Sequence, residues 1–143
     1  MQGGQRGSFG VIGLVLTLLA KYLLISQLIE AGSLSFLLLF PTLGRWSMVC
    51  LAWFFPAPQG EFFAGYPLLR DFWRATGITL LCSIITQGLV GLGIMVLVWI
   101  FTYGIGHFFV RRIGGITIPV MGAGVELVEI LSLAALAALL GGL

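Results

Sequence analysis

Residues 75–110 read ATGITLLCSIITQGLVGLGIMVLVWIFTYGIGHFFV, without a formal charge, and the number of times this stretch crosses a membrane decides the architecture. As one helix it would run about 54 Å at 1.5 Å per residue, against the ~30 Å of hydrocarbon that a span has to cover. It has to break. Gly88, Gly91 and Gly93 mark the place, which gives two modest passes over 75–89 and 92–110.

Working outward, the apolar runs 9–29 and 34–55 each suffice for one span and are joined by the short turn Glu30-Ala31-Gly32-Ser33, which forces an antiparallel hairpin. A small-residue cleavage site does not follow the first run, so it reads as a span rather than a secretory signal peptide. Between 56 and 74 the proline-rich stretch PAPQGEFFAGYPLLRDFWR has interface character, with Trp73 beside Arg70 and Arg74. A last span covers 119–140. The expected fold is therefore all-α, a polytopic membrane helix bundle of about five transmembrane helices in a single domain over 1–143.

Composition agrees: 59% of the 143 residues are hydrophobic and 8% charged, and the mean hydropathy is +1.14, well outside the soluble range. The net charge of +2 lends no support to a nucleic-acid partner, and membrane lipid is the expected surrounding. Basic residues collect on the cytoplasmic side of membrane proteins. Five passes put Arg6, the Arg70/Arg74 pair and the Arg111/Arg112 pair on one side, whereas a single pass between Arg74 and Arg111 would separate the pairs. The N-terminus is thus expected in the cytoplasm and the C-terminus outside. Cys50 and Cys82 each lie in an apolar run and read as packing thiols.

Four ionisable residues fall inside the expected spans. Lys21 sits about a dozen residues into the first and Arg45 about eleven from the inner end of the second. Glu126 and Glu129, about 14 and 18 Å beyond Thr117 at 1.5 Å per residue, share one face of the last helix. A bare cation at such depth costs about 2.5–3.5 kcal/mol, so partners are required. One reading is a buried ion cluster of Lys21, Arg45, Glu126 and Glu129 that fixes which helix faces which. The other is a polar pocket open to the cytoplasmic face.

Residues 111–118, RRIGGITI, read as a tight cytoplasmic hairpin. Arg111 and Arg112 occupy the last turn of one helix, Gly114 suits the position just past its end, Thr117 is a candidate N-cap, and Pro119 suits the first turn of the next helix. Such a hairpin is an ordinary topology signal. It also brings two guanidiniums, flexible backbone at Gly114 and Gly115, and a helix start into a candidate phosphate site comprising Arg111, Arg112, Gly114, Gly115 and Thr117. His107 reads as structural. The sequence holds no nucleophile triad, no Cys/His metal cluster, no P-loop and no dinucleotide fingerprint; catalytic residues and metal ligands are not assigned.

The stretch RRIGGITIPVMGAGVELVEI (111–130) resembles the C-terminal signature of the cobalamin synthase family, the adenosylcobinamide-GDP ribazoletransferases, in which an Arg-Gly-Gly-x-Thr hairpin leads into Gly-Ala-x-x-Glu-Leu. RGSFGVIGLVLTLLAKYLLI (6–25) is similar to the family's lysine-bearing span and LGRWSMV (43–49) to its arginine-bearing span. The resemblance covers essentially the whole chain but only the later part of a family member. It implies a multi-pass phosphotransferase of bacterial or archaeal cytoplasmic membranes that joins adenosylcobinamide-GDP to α-ribazole with release of GMP and uses Mg²⁺. Matching positions are Lys21, Arg45, Arg111, Arg112, Gly114, Gly115, Thr117, Gly122 and Glu126. The metal-binding aspartates implied by the family do not match: its Asp-Gly-x-x-Asp-x-x-x-Gly element would lie upstream of Met1, its Met-x-Asp-Ser element corresponds to Met1-Gln2-Gly3-Gly4, and its Thr-Gly-Asp stands as Thr117-Ile118-Pro119. Its charged loop corresponds to the stretch from Ala57 to Gly60, which has no charged residue. The expectation is an incomplete or degenerate member, inactive in isolation: a fragment, a half whose acidic N-terminal partner is a separate chain, or a variant that has lost activity. The alternative is a non-catalytic membrane subunit that binds a phosphorylated amphiphile or a partner bundle.

Overall fold

A computed structural model describes residues 3–57 and 69–140, with side chains from residue 7 at the N-terminal end. Most of the expected interfacial loop (58–68, with Glu61), the Ala57–Gly60 comparison beyond Ala57, and the Met1-Gln2 start of the expected N-terminal element lie outside the described residues. Among those described there are four helices and no strand: α1 (Gly3–Glu30), α2 (Phe36–Phe54), α3 (Leu69–Ile113) and α4 (Ile118–Leu140). All four are long and apolar enough to cross a membrane. The all-α bundle is as expected, but four helical elements stand where five separate helices were anticipated.

The difference lies in the stretch quoted first. Helical structure is continuous through α3 except at Gly88, whose φ of 58° and ψ of −131° belong to no helix and which, lacking a Cβ, can adopt them at no steric cost. There the chain doubles back. A Cβ on Gly91 would collide with the carbonyl of Ser83, although in a straight helix the two residues would be about 12 Å apart. The Phe54 ring meets both Phe72 at 5.7 Å and Tyr103 at 6.4 Å, which only a reversed chain allows. The first limb (69–87) runs antiparallel to α2: Phe72 lies by Trp53 and Phe54, Trp46 donates to the Thr76 hydroxyl at 3.1 Å, and Gln87 donates to the Ser35 hydroxyl at 2.7 Å. The second limb (89–113) returns alongside α2, with Ile94, Met95 and Val98 packed in the same core as Phe36, Leu39, Leu43 and Trp46. Residues 75–110 thus form two antiparallel helical limbs, with the reversal at Gly88 alone; Gly93 faces open space.

Boundaries move by physical causes. The first limb begins at Leu69, so residues 69–74 are helical rather than part of a 56–74 loop. Asp71 in the first turn favours the positive end of the helix, and Phe72 stacks on Trp53 at 5.3 Å. The 111–118 hairpin tightens to a 114–117 link because Arg111–Ile113 complete α3 and Ile118 already starts α4.

Lys21 reaches Glu126 and Glu129, while Leu28 joins a core with Leu133 and Leu136, so α1 and α4 run in the same direction. One end of the bundle therefore gathers the start of α1, the end of α2, both ends of α3 and the start of α4. The other holds the 31–35 turn, Gly88 and the end of α4.

Candidate functional site

Two constellations follow. The first is at depth. Lys21 Nζ donates to Glu126 Oε2 and to Glu129 Oε2, both at 2.5 Å. The Lys21 and Glu129 side chains are 14% and 12% exposed and Glu126 43%, so one ammonium neutralises a sheltered carboxylate and a half-exposed one. Position dictates this: Glu126 and Glu129, three apart on α4, face the same neighbour, and Lys21 on parallel α1 lies level with them.

Space for the arrangement comes from Gly44, a residue that spacing did not single out. A Cβ there would come within 2.8 Å of Glu129 Cγ, 2.9 Å of its Oε1 and 3.2 Å of Val125 Cγ1. The α2 backbone thus lies directly beneath the carboxylate stem. Only the adjoining motif residue Arg45 had drawn notice, and it behaves differently. Arg45 is exposed and joins neither ion pair. The expected four-member cluster is therefore three, because Gly44 faces α4 and the next residue points about 100° round the helix, away from it.

The second constellation closes the basic end. Gly114, at φ 87°, turns the chain out of α3, and its N–H donates to the Val110 carbonyl at 2.9 Å. The Ile116 N–H donates to the Pro56 carbonyl at 2.9 Å, and Ile116 is fully buried against Leu51, Val120 and Met121. The hairpin is therefore pinned to the end of α2. Thr117 caps α4, its Oγ1 accepting from the Val120 N–H at 3.4 Å. Nearby, a Cβ on Gly106 would collide with the Phe55 ring, so α2 and the second limb touch closely just inside this end.

Arg111 and Arg112 are exposed there and Gly115 is buried. The Arg112 guanidinium lies 5.4 Å from the Phe108 ring centroid, a cation–π contact that orients it. His107 stacks on Tyr103 with ring centroids 6.5 Å apart. Arg70 and Arg74 open α3 at the same end and are also exposed. For a phosphate group, these cations matter more than the helix start. Pro119 has no N–H, the Val120 N–H goes to Thr117 Oγ1 and the Met121 N–H to the Thr117 carbonyl, so α4 presents few free amides.

The described residues do not fit Mg²⁺. That ion takes near-octahedral oxygen ligands, commonly one or two carboxylates with substrate phosphate. Glu126 and Glu129 are both engaged by Lys21, Glu30 ends α1 at one end of the bundle, and Asp71 opens α3 at the other. Among the described residues no three metal-ligating side chains come together. The two cysteines are unpaired, Cys50 buried and Cys82 half-buried.

The chain matches the Cobalamin-5-phosphate synthase family over residues 1–137. It is 33% identical over 140 residues to the adenosylcobinamide-GDP ribazoletransferase of Roseiflexus sp. strain RS-1, covering 95% of this chain and 52% of that protein. The protein of the same name from Herpetosiphon aurantiacus is 35% identical over 145 residues, 97% of this chain and 57% of that one. Its counterpart from Syntrophobacter fumaroxidans is 32% identical over 142 residues, 96% and 57% respectively. The chain thus spans about half the length of these relatives. No solved structure matches it. A match that runs from the first residue through most of α4, and so takes in the lysine span, the arginine span and the arginine-glycine hairpin together, shows that this chain belongs to the cobalamin-5-phosphate synthase family.

Proposed function

We propose that the chain forms the phosphate-holding, metal-free part of a membrane phosphotransferase in cobalamin assembly, which joins adenosylcobinamide-GDP to α-ribazole and releases GMP. The observation that carries this reading is family membership over residues 1–137, the stretch that includes the basic end of the bundle. Phosphoryl transfer is catalysed chiefly by positioning and by neutralising charge on the phosphoryl oxygens. Arg111 and Arg112 supply cations for that purpose beside a hairpin that Gly114, Gly115 and Thr117 shape and Ile116 holds against the end of α2. The Lys21–Glu126–Glu129 ion pairs keep α1 and α4 in register below it.

Acidic, Mg²⁺-binding groups are then the contribution of the rest of the family's length, in a separate chain or in the same one. The basic end faces the cytoplasm of a bacterial or archaeal cell, by the rule that Lys and Arg concentrate there. The lack of fit for Mg²⁺ keeps a second reading in view, a non-catalytic membrane subunit that retains a phosphorylated amphiphile through the same arginines.

The test uses the purified chain in liposomes with adenosylcobinamide-GDP, α-ribazole and Mg²⁺. No GMP is expected from the chain alone, whereas the nucleotide-activated corrinoid is retained in equilibrium dialysis. The double substitution Arg111→Ala and Arg112→Ala lowers that retention at least roughly 10–100-fold, since each lost charge-assisted contact is worth about 1.5–3 kcal/mol. Robust turnover would contradict the metal-free assignment, and undiminished retention would remove the arginines from the site.

A further inference from the structure

Arg45 occupies the middle of α2 (Phe36–Phe54), about 14 Å from either end at 1.5 Å per residue. A guanidinium at that depth costs about 2.5–3.5 kcal/mol unless it is paired or reaches water. Among the described residues no carboxylate pairs with it, and the two that lie at its level are held by Lys21. It does not stand on a bare polar strip. Leu37, Leu38 and Met48 are exposed and Pro41 and Ala52 half-buried on the same side of the helix, so an apolar face surrounds one cation. Pro41 adds a second polar feature. It has no N–H to give to the Leu37 carbonyl four residues back, and the Thr42 hydroxyl donates instead to the Leu38 carbonyl at 2.6 Å. The face therefore carries an unpaired cation at mid-helix and, near the start of α2, a proline that withholds one helical N–H.

We propose that this face of α2 is the docking surface for a membrane helix from the part of the family's length that lies outside the match, and that a carboxylate on that helix pairs with Arg45. Charge complementarity supplies one argument, since in lipid a buried cation is stabilised by an acid on a neighbouring helix. Length supplies the other: the relatives are nearly twice as long as the stretch they share with this chain, which covers 52% and 57% of them, so a partner segment of comparable size is available within the family's length. Apolar residues around a single ion pair fix both the position and the rotation of the incoming helix. The inference rests on the proposed reading only in that the rest of the family's length joins this bundle; it does not depend on any role of Arg111 or Arg112.

Co-expression of the 143-residue chain with the affinity-tagged, unmatched portion of the Roseiflexus relative tests it, by pull-down and gel filtration in mild detergent. The wild-type chain should be retained. Arg45→Gln should lower retention tenfold or more and Arg45→Lys should restore part of it, while the melting temperature of the isolated chain stays the same or rises in both variants because an unpaired charge is removed or exchanged. Arg111→Ala should leave retention of the segment unchanged, so that failure at the hairpin and failure at this face are separable. Absence of retention by the wild-type chain, or equal retention of Arg45→Gln, overturns the proposal. So does loss of self-association of the isolated chain in Arg45→Gln, which would make a second copy the occupant.

Discussion

A single ammonium holding two carboxylates sets the register between α1 and α4, and Gly44 sets how near α2 can come. Lys21 is the sensitive member of the group. Replacing it with Met keeps the bulk of the side chain but leaves Glu126 and Glu129 facing each other without a cation, and breaking a buried pair by removing one partner costs about 3–5 kcal/mol. Thermal unfolding in detergent should show a large drop for Lys21→Met. The triple change Lys21→Met, Glu126→Gln and Glu129→Gln should recover much of it, since no unpaired charge remains. A triple variant no more stable than the single one would mean that the ions do something beyond neutralising one another. Spacing in the sequence was enough to put both acids on one face and to require a cation nearby. It could not choose between Lys21 and Arg45, because that choice turns on a rotation of about 100° between neighbouring positions on α2.

At the scale of elements, the reversal in α3 depends on one residue. The φ of 58° and ψ of −131° at Gly88 lie where a side chain on an L-residue is strained, by about 1–3 kcal/mol. Gly88→Ala should therefore lower stability by that amount in a detergent melt, whereas Gly93→Ala, which meets open space, should leave it unchanged or raise it through higher helix propensity. Equal effects at the two positions would place the turn elsewhere. The sequence required a break because 75–110 is too long for one pass, and glycines narrowed the choice. The winner emerged only from packing: Gly91 is needed for close approach to the Ser83 backbone, and Gln87 anchors the turn on Ser35. The extension of the first limb back to Leu69 was missed because Arg70, Asp71 and Arg74 resemble loop composition, whereas Phe72 reaches the α2 aromatics only from a helix.

For the whole molecule, the direction of each helix makes a prediction about sidedness. Single cysteines at Ser8, Arg74 and Ile113, in a background with Cys50 and Cys82 replaced by Ala, should label from one side of intact vesicles, and cysteines at Gly32 and Leu89 from the other. Ser8 and Arg74 labelling from opposite sides would break the assignment of bundle ends. Composition, charge placement and the length of apolar runs determined by themselves that this chain is a multi-pass helical bundle with Arg70, Arg74, Arg111 and Arg112 at one end, because the energy of transfer into lipid depends on residue content and length, and hardly on tertiary partners. The family was legible too, since motif order is linear. Tertiary structure alone decided which helices touch, that Gly44 makes room for Glu129, that Lys21 takes both acids and that Arg45 is left outside. Those outcomes depend on helix rotation and approach, which are set by side-chain packing between segments far apart in the chain and leave no trace in local spacing.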